Sequence, residues 1–457
     1  MKKCSKILFA ATILLCLTSV AVCAETARDI TDSVIISSNE ISIGSLCDDT
    51  LSTHSSGKNV SISIYSTEDM GGIYIKYYKI PDGGILNDTF PIAQNKFLHE
   101  FIELDGERQA SLYFQNVDIS DIYIYSVGDI PKDVQLWQIG DMPADILLCA
   151  THSDDDQLFF AGLLPLYAGH TDANVQVAYF INHYDTYNRT HELLDGLWHC
   201  GVKNYPVISP FPDGYSESVD AAVNYLSSKG ISYRDILSFQ KSLLEKYKPL
   251  VVVLHDFNGE YGHGAHMLNT KSFIEVCENA GDDDFIPEKI YVHLYDKSII
   301  SLDIDTPLDE FSGLSAFNVS QEAFGFHKSQ HWTWFYDWIY GKGARVTNSS
   351  QIRTYNPASY GLYYTRVGED LHKNDILENV TLYFERNMSE ESETDILIAA
   401  DEIAESDENS TVDVKIEKTN NNQKYASAFP FYFLPAVILI ITALCASIIF
   451  KSNKKQR

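Results

Sequence analysis

The sequence predicts an α/β fold with a Rossmann-like, mostly parallel sheet, preceded by an all-β sandwich and followed by a C-terminal transmembrane helix. Three observations predict this order. Apolar residues alternate with period two over 25–140, continuous apolar runs alternate with helical patterns over 141–386, and an apolar run free of charge lies near the end of the chain. A chain of 457 residues is long enough for two or three domains.

The N-terminus is typical of a secretory signal peptide over 1–24. Three lysines within the first six residues precede an apolar run at 7–22, and small residues stand directly before Glu25. A positive start, a short apolar core and a small-residue cleavage site define such a peptide. A lipobox ending in Cys23 is the alternative interpretation, although Val22 is a poor residue before a lipidated cysteine.

The next segment, 25–140, predicts the β-sandwich. Apolar and polar residues alternate in short runs, for example 60–64, 73–77 and 122–125, and Gly, Asn and Asp separate them. Half-buried strands with frequent turns are the pattern of a sandwich. Its many tyrosines favour a carbohydrate-binding role through stacking, and a module that only packs against the next domain is the other interpretation.

The segment 141–386 predicts the α/β domain. Its buried strands are expected in four continuous apolar runs, at 146–150, 175–181, 250–254 and 290–294. Its helices are expected between them, at 158–167, 191–200, 237–247 and 268–280. Strands buried on both faces and alternating with helices imply a largely parallel sheet.

The C-terminal part predicts attachment to a membrane. An acidic flexible stalk is expected over 387–425, a transmembrane helix over 426–450 and a basic cytoplasmic tail over 451–457. About 20 apolar residues span a bilayer core, and basic residues stay on the cytoplasmic side. The pattern therefore predicts a single-pass type I protein of the cell membrane with an extracellular catalytic domain.

The charge balance limits the class of partner. The formal net charge is −29, with 63 acidic against 34 basic side chains. Nucleic acid is disfavoured as a partner because phosphate backbones require basic surfaces.

The first motif with chemical potential is the turn at 152–156, which follows one of the buried runs. It combines His152 with three consecutive carboxylates at 154–156. Ligands bind at the carboxyl ends of strands in open α/β sheets, and mixed histidine and carboxylate ligands are typical of catalytic zinc. The alternative is an acidic turn that caps a helix.

The second motif follows another buried run, at 255–266. Its glycines allow a sharp turn and close approach of the backbone to a ligand. His263 and His266 are three residues apart at a predicted helix start, so they can share a face. Together the two motifs supply three metal ligands and spare acid–base groups, a combination that can hydrolyse an amide.

These motifs resemble the PIG-L/LmbE family of zinc-dependent de-N-acetylases. Its members share a His-Pro-Asp-Asp-Glu turn and a later Gly-x-Tyr-Gly-His-Pro-Asp-His segment. Here they are His152-Ser-Asp-Asp-Asp156 and Gly259-Glu-Tyr-Gly-His-Gly-Ala-His266. The resemblance covers roughly 144–385 and implies a zinc deacetylase domain over 141–386.

The resemblance also implies roles for individual residues. The implied Zn²⁺ ligands are His152, Asp155 and His266. Asp154 is the implied general base, while His263 and Tyr261 are implied to polarise the acyl oxygen and assist departure of the amine. Arg189 and Asp213 are implied substrate contacts, Asp213 through a sugar hydroxyl.

A further segment, 327–330, resembles the family's His-x-Ser-Gln sequence. It is expected either to contact substrate or to pack the wall of the site.

Three departures from the family pattern bear on the site. Ser153 replaces Pro and Asp156 replaces Glu. More important, Ala265 replaces the Asp that would orient the neighbouring histidine. Glu260 and Asp256 are the nearby acidic residues that could substitute for it.

The expected function is a cell-surface zinc-dependent hydrolase that removes an N-acetyl group from an amino-sugar glycoconjugate. The alternative is a catalytically degenerate glycan-binding surface protein, which the loss of the acidic residue at 265 would favour. The glycolipid step of GPI-anchor synthesis fits the family but not the predicted topology.

Overall fold

Two seven-stranded sheets organise residues 25–388, the part of the chain that this computed structural model describes. The predicted signal peptide, transmembrane helix and basic tail, and all but the first two residues of the predicted stalk, lie outside these residues. The domain boundaries at 140 and 386 therefore remain predictions.

The first sheet is antiparallel throughout. Its strands are β1 (Ile35–Ser37), β2 (Ser55–Tyr65), β3 (Met70–Tyr77), β4 (Gly84–Leu86), β5 (Phe90–Ile92), β6 (His99–Glu103) and β7 (Gln109–Ser126). In β2 the side chains of Val60, Ile62 and Ile64 are buried while their neighbours are exposed, because successive side chains of a strand point to opposite faces.

The predicted β-sandwich is wrong, because these strands form one sheet rather than two. β7 has 18 residues, so it pairs with β2 and β4 along its first part and with β3 along its second. Period-two patterns show which face of a strand is buried, but they do not show which strands pair.

The second sheet has the order β10-β9-β8-β11-β12-β14-β13. Its strands are β8 (Ile146–Ala150), β9 (Val175–Tyr179), β10 (Val207–Ile208), β11 (Val251–Leu254), β12 (Lys289–His293), β13 (Ile299–Ser301) and β14 (Ser359–Thr365). β8 to β12 are parallel to one another, whereas β14 is antiparallel to β12 and to β13.

The predicted Rossmann-like, mostly parallel fold is therefore corrected to a mixed sheet beside a separate antiparallel sheet. β13 and β14 follow the last apolar run used for the prediction. β14 returns from a distant part of the chain to extend the sheet in the opposite direction, and such non-local pairing is not contained in a local hydrophobic pattern.

Helices cover both faces of the second sheet. They are α1 (Asp155–Leu158), α2 (Tyr187–His199), α3 (Val219–Ser228), α4 (Tyr233–Tyr247), α5 (Gly264–Glu278), α6 (Ala316–Phe324) and α7 (Trp334–Tyr340). In β8, Ile146 and Leu148 belong to the apolar core shared with α2 and α6, whereas Leu147 and Cys149 belong to the core shared with α4 and α5. This alternation explains why the strand is apolar at every position.

The predicted membrane topology is also corrected. Within residues 25–388, no helix is long and apolar enough to cross a bilayer, which contradicts the prediction of a single-pass protein held in the cell membrane by its C-terminal helix. The run at 426–450 on which the prediction relied lies outside the described residues.

Candidate metal centre

Four neighbouring parallel strands each place one histidine at the same edge of the second sheet. His183 follows β9, His152 follows β8, His255 follows β11, and His293 is the last residue of β12. All four are buried, with exposed fractions between 0 and 7%. The convergence follows from the fold, because the carboxyl ends of parallel strands meet at one edge.

The turn after β8 is closed by Asp155, the first residue of α1. Its Oδ2 accepts hydrogen bonds from the backbone N–H groups of Thr151 at 3.1 Å and His152 at 2.6 Å. The carboxylate is only 2% exposed. It is therefore held at the strand end without contact with bulk water.

The three predicted ligands converge at this point. His152 Nδ1 lies 3.1 Å from His266 Nε2, and Asp155 Oδ2 lies 3.4 Å from each of these nitrogens. Ligands bonded at about 2.0–2.1 Å in a tetrahedral zinc site stand roughly 3.3 Å apart. The spacing of these donor atoms fits a single small cation between them.

The local electrostatics also favour positive charge. Hydrogen bonds to Asp155 and Asp213 outweigh burial and raise the pKa of His152 to about 10. The nearby His266 and His255 hold the pKa of Asp155 well below its usual range, again against the effect of burial.

Glu260 orients the imidazoles from behind. Its buried carboxylate accepts hydrogen bonds from His266 Nδ1 at 2.6 Å, His255 Nδ1 at 2.8 Å and His293 Nδ1 at 2.6 Å. With the proton on Nδ1, the Nε2 lone pair of His266 points at His152 and Asp155. A carboxylate behind a metal-binding histidine fixes its tautomer in this way.

Two sets of buried side chains within residues 25–388 could hold a metal ion, with ligand atoms within 4.8 Å of one another. One is His152, His263 and His266, and the other is Asp155, His255 and His266. Both include His266, so they describe adjoining parts of one centre. The structure thus provides buried His and Asp groups that could bind a metal ion.

The predicted base and the predicted substrate arginine lie together beside this centre. Asp154 is 4% exposed, and its Oδ1 lies 3.7 Å from Arg189 Nη2 at the start of α2. Burial raises the pKa of Asp154 to about 6 against the opposing charge of Arg189. The other terminal nitrogen of Arg189, Nη1, lies 3.3 Å from His183 Nδ1.

His263 caps the start of α5. Its Nδ1 accepts a hydrogen bond from the backbone N–H of Ala265 at 3.2 Å, which leaves the proton of the neutral ring on Nε2. Burial, with the neighbouring His152 and His266, lowers the pKa of His263 to about 2. His263 is therefore a neutral hydrogen-bond donor with its ring centroid 4.7 Å from that of His152.

Ala265 lies in an apolar environment, which bears on the missing acidic residue. It is 4% exposed and packs in a cluster with Phe180, Phe211 and Leu268. A carboxylate at this position would be buried among apolar side chains. Glu260 contacts His266 rather than His263, so it does not replace the absent partner of His263.

Tyr261 occupies a strained position between two glycines. Its φ is +49°, in the left-handed region that non-glycine residues rarely adopt. Its ring centroid lies 5.4 Å from His263 and 5.6 Å from His266. The glycines at 259 and 262 also have positive φ, so the turn depends on them to bring Tyr261 to the site.

Asp213 lies on the more open side of the centre. Its side chain is 39% exposed, with Oδ1 3.5 Å from His152 Nε2 and Oδ2 3.9 Å from His183 Nδ1. Of the two predicted substrate contacts, Asp213 is the more exposed, so its carboxylate can be reached from solvent.

The segment 327–330 packs behind the site. His327 Nε2 donates to Gln157 Oε1 at 2.8 Å, and the Ser329 N–H donates to Glu192 Oε1 at 2.9 Å. These contacts join the segment to α2 and to the turn that carries the ligands.

Sequence reasoning missed His183 and His293, as well as the central position of Glu260. His183 and His293 belong to no motif, but both stand at the carboxyl end of an apolar run. A search for polar residues at every predicted strand end would have found them.

No protein-family model and no curated protein sequence matches this chain. Among solved structures, the 4-carboxy-2-hydroxymuconate hydratase GalB of Pseudomonas putida KT2440 is 14% identical, with a TM-score of 0.30 over 50% of this chain and 99% of its own. A carbohydrate esterase with divergent catalytic and non-catalytic binding functions is 11% identical, with a TM-score of 0.20 over 66% of this chain and 97% of its own.

A truncated AlyQ with CBM32 and alginate lyase domains is 9% identical, with a TM-score of 0.19 over 30% of this chain and 38% of its own. The hydratase and the esterase are enzymes, and the esterase and AlyQ act on carbohydrates. At TM-scores below 0.5, these likenesses carry no argument about the fold or activity of this chain.

Proposed function

We propose that this chain is a zinc-dependent hydrolase of the PIG-L/LmbE type that removes N-acetyl groups from amino-sugar glycoconjugates. One observation carries the proposal. His152 Nδ1, His266 Nε2 and Asp155 Oδ2 converge at 3.1–3.4 Å, and the buried carboxylate of Asp154 lies next to them in the chain. These side chains belong to the two turns that resemble the family.

His152, Asp155 and His266 would hold the ion. Zinc held by such ligands supplies Lewis acidity toward water and the acyl oxygen. The chain's own residues then transfer the proton of the attacking water and stabilise the negative charge that develops on the acyl oxygen.

Asp154 acts as the general base. It accepts a proton from the attacking water, whose oxygen forms the new bond to the acyl carbon, and it returns that proton to the amine as the C–N bond breaks. Arg189, 3.7 Å from the Asp154 carboxylate, keeps it oriented toward the site. The products are acetate and a free amino sugar.

His263 and Tyr261 face the acyl oxygen. The Nε2–H of His263 donates a hydrogen bond to the oxygen as negative charge develops on it. Because its Nδ1 is occupied by the Ala265 N–H, His263 performs this role without an acidic partner. Asp213 accepts a hydrogen bond from a sugar hydroxyl at the open side.

The test measures bound zinc and acetate release by the full chain with an N-acetylglucosamine pentamer. We expect His152→Ala to lose both zinc and activity. Asp154→Asn should keep zinc and lose activity by a factor of about 10² or more. Asp172→Asn, which changes an exposed carboxylate outside the centre, is the matched control and should retain both.

A zinc-loaded wild type that releases no acetate from the pentamer or from the monomer would overturn the hydrolase proposal. If that protein still bound the pentamer, the glycan-binding alternative would replace it.

A further inference from the structure

We infer that the site binds a linear, N-acetylated glycan across several sugar rings, on a row of four aromatic side chains that passes over the candidate centre. The row consists of Tyr215, His263, Tyr261 and Trp334. This inference rests on the proposed function, since it specifies the substrate of the same site.

The rings follow one another without a gap. Ring centroids lie 5.3 Å apart between Tyr215 and His263, 5.4 Å apart between His263 and Tyr261, and 5.9 Å apart between Tyr261 and Trp334. The two middle members are the residues proposed to face the acyl oxygen. Each pair meets edge to face, at 74–88°, and the two outer members extend the row beyond the residues proposed to face the acyl oxygen.

The outer rings are unusually open to solvent. Tyr215 is 67% exposed and Trp334 is 47% exposed. Trp332, two residues before Trp334, is 84% exposed. Large aromatic side chains grouped at the surface mark a binding surface more often than isolated ones do.

The polar groups beside the row favour a sugar as the occupant. The Asp213 carboxylate is 39% exposed, and the Tyr215 hydroxyl donates to Glu217 at 3.5 Å. A pyranose ring presents an apolar face to an aromatic ring and hydroxyl donors to carboxylates at its edge. The net charge of −29 disfavours a polyanionic chain, and a neutral N-acetylated glycan avoids this repulsion.

The test compares binding of the N-acetylglucosamine monomer and pentamer by calorimetry, with the full chain carrying Asp154→Asn so that no ligand is consumed. We expect the pentamer to bind at least about tenfold more tightly than the monomer. Adding Trp334→Ala or Tyr215→Ala should weaken pentamer binding by about tenfold.

Tyr215→Ala guards against a folding defect at Trp334, because Tyr215 is the more exposed of the two. Phe90→Ala is the matched control: Phe90 is 60% exposed on β5 of the other sheet, and its loss should leave pentamer binding unchanged. Equal affinity for monomer and pentamer, or pentamer binding unaffected by both substitutions, would overturn the inference.

The readout is binding, so it remains informative if the hydrolase proposal fails. Absence of acetate release with intact, Trp334-dependent pentamer binding would reject the activity alone. Acetate release without a preference for the pentamer would reject the aromatic row alone.

Discussion

Two buried carboxylates, Glu260 at the candidate metal centre and Asp121 in the first sheet, have opposite environments. Both are almost inaccessible to solvent, with exposed fractions of 0% and 1%. Glu260 accepts hydrogen bonds from three imidazoles. Neither carboxylate oxygen of Asp121 has a hydrogen-bond partner among the described residues, although Lys76 is its cross-strand neighbour in β3.

The pKa values move in opposite directions as a result. Burial alone would raise the pKa of Glu260, but His255, His266 and His293 hold it well below its usual range. Burial raises the pKa of Asp121 to about 6, and Lys76 offsets only part of this. A buried carboxylate therefore stabilises its charged form only where the fold supplies donors.

The largest effect is expected for Glu260→Gln. The amide would present N–H donors to imidazole N–H groups, so at least one contact would be lost and the tautomer of His266 would no longer be fixed. We expect zinc affinity to fall by about 10- to 100-fold, as for other substitutions behind a ligand. Metal titration of the purified full chain measures this.

Glu100→Gln is the control for that substitution. Glu100 is a partly buried carboxylate of the first sheet, where it accepts from Tyr77 and the Ala93 backbone. The zinc affinity of the Glu100→Gln variant should equal that of the wild type. Equal zinc affinity in Glu260→Gln would show that the carboxylate does not position the ligands.

A smaller effect, with a defined pH dependence, is expected at Asp121. Its folded-state pKa is raised above the unfolded value, so the contribution of Asp121 to the stability of the folded protein falls as pH rises from about 4 to 6 and is constant above that range. Asp121→Asn removes this loss. We compare the free energy of unfolding of Asp121→Asn with that of the wild type at two pH values. The variant should gain about 2 kcal/mol on the wild type between about pH 4 and about pH 7.5.

Urea unfolding of wild type and variant at both pH values measures this difference. The groups of the metal centre also titrate, but they do so in both proteins, so their effect is absent from the comparison. A stability difference that does not change with pH would mean that the pKa of Asp121 is not raised in the folded protein.

The smallest effect is expected for Asp69→Asn at the surface. Asp69 accepts from Arg108 Nε at 2.7 Å, but both side chains are more than half exposed. Exposed ion pairs contribute little, so the free energy of unfolding should not change measurably, at low or at high salt. A clear loss of stability in urea unfolding would show that this surface ion pair stabilises the fold.

Much of the local structure was predictable from the sequence. The buried run at 250–254 corresponds to β11. The helix predicted at 237–247 corresponds to α4, which begins four residues earlier, at Tyr233, and ends at Tyr247 as predicted. The turn at 152–156 does follow a buried strand. The helix predicted at 158–167 is confirmed only in its second half, because α1 ends at Leu158, turns follow over 159–162, and helical structure resumes at 163 and continues in a π-helix at Pro165–Gly169.

The sequence by itself determined the four buried strands β8, β9, β11 and β12 and the two turns that carry the predicted metal ligands, because periodicity and turn composition are local properties. Only the tertiary structure decided that β1 to β7 form one sheet and that β14 runs antiparallel. It also brought His183 and His293 to the edge that carries His152, and it placed Glu260 behind His266. Pairing of strands and the surroundings of a buried charge depend on residues far apart in the chain, so no local pattern contains them.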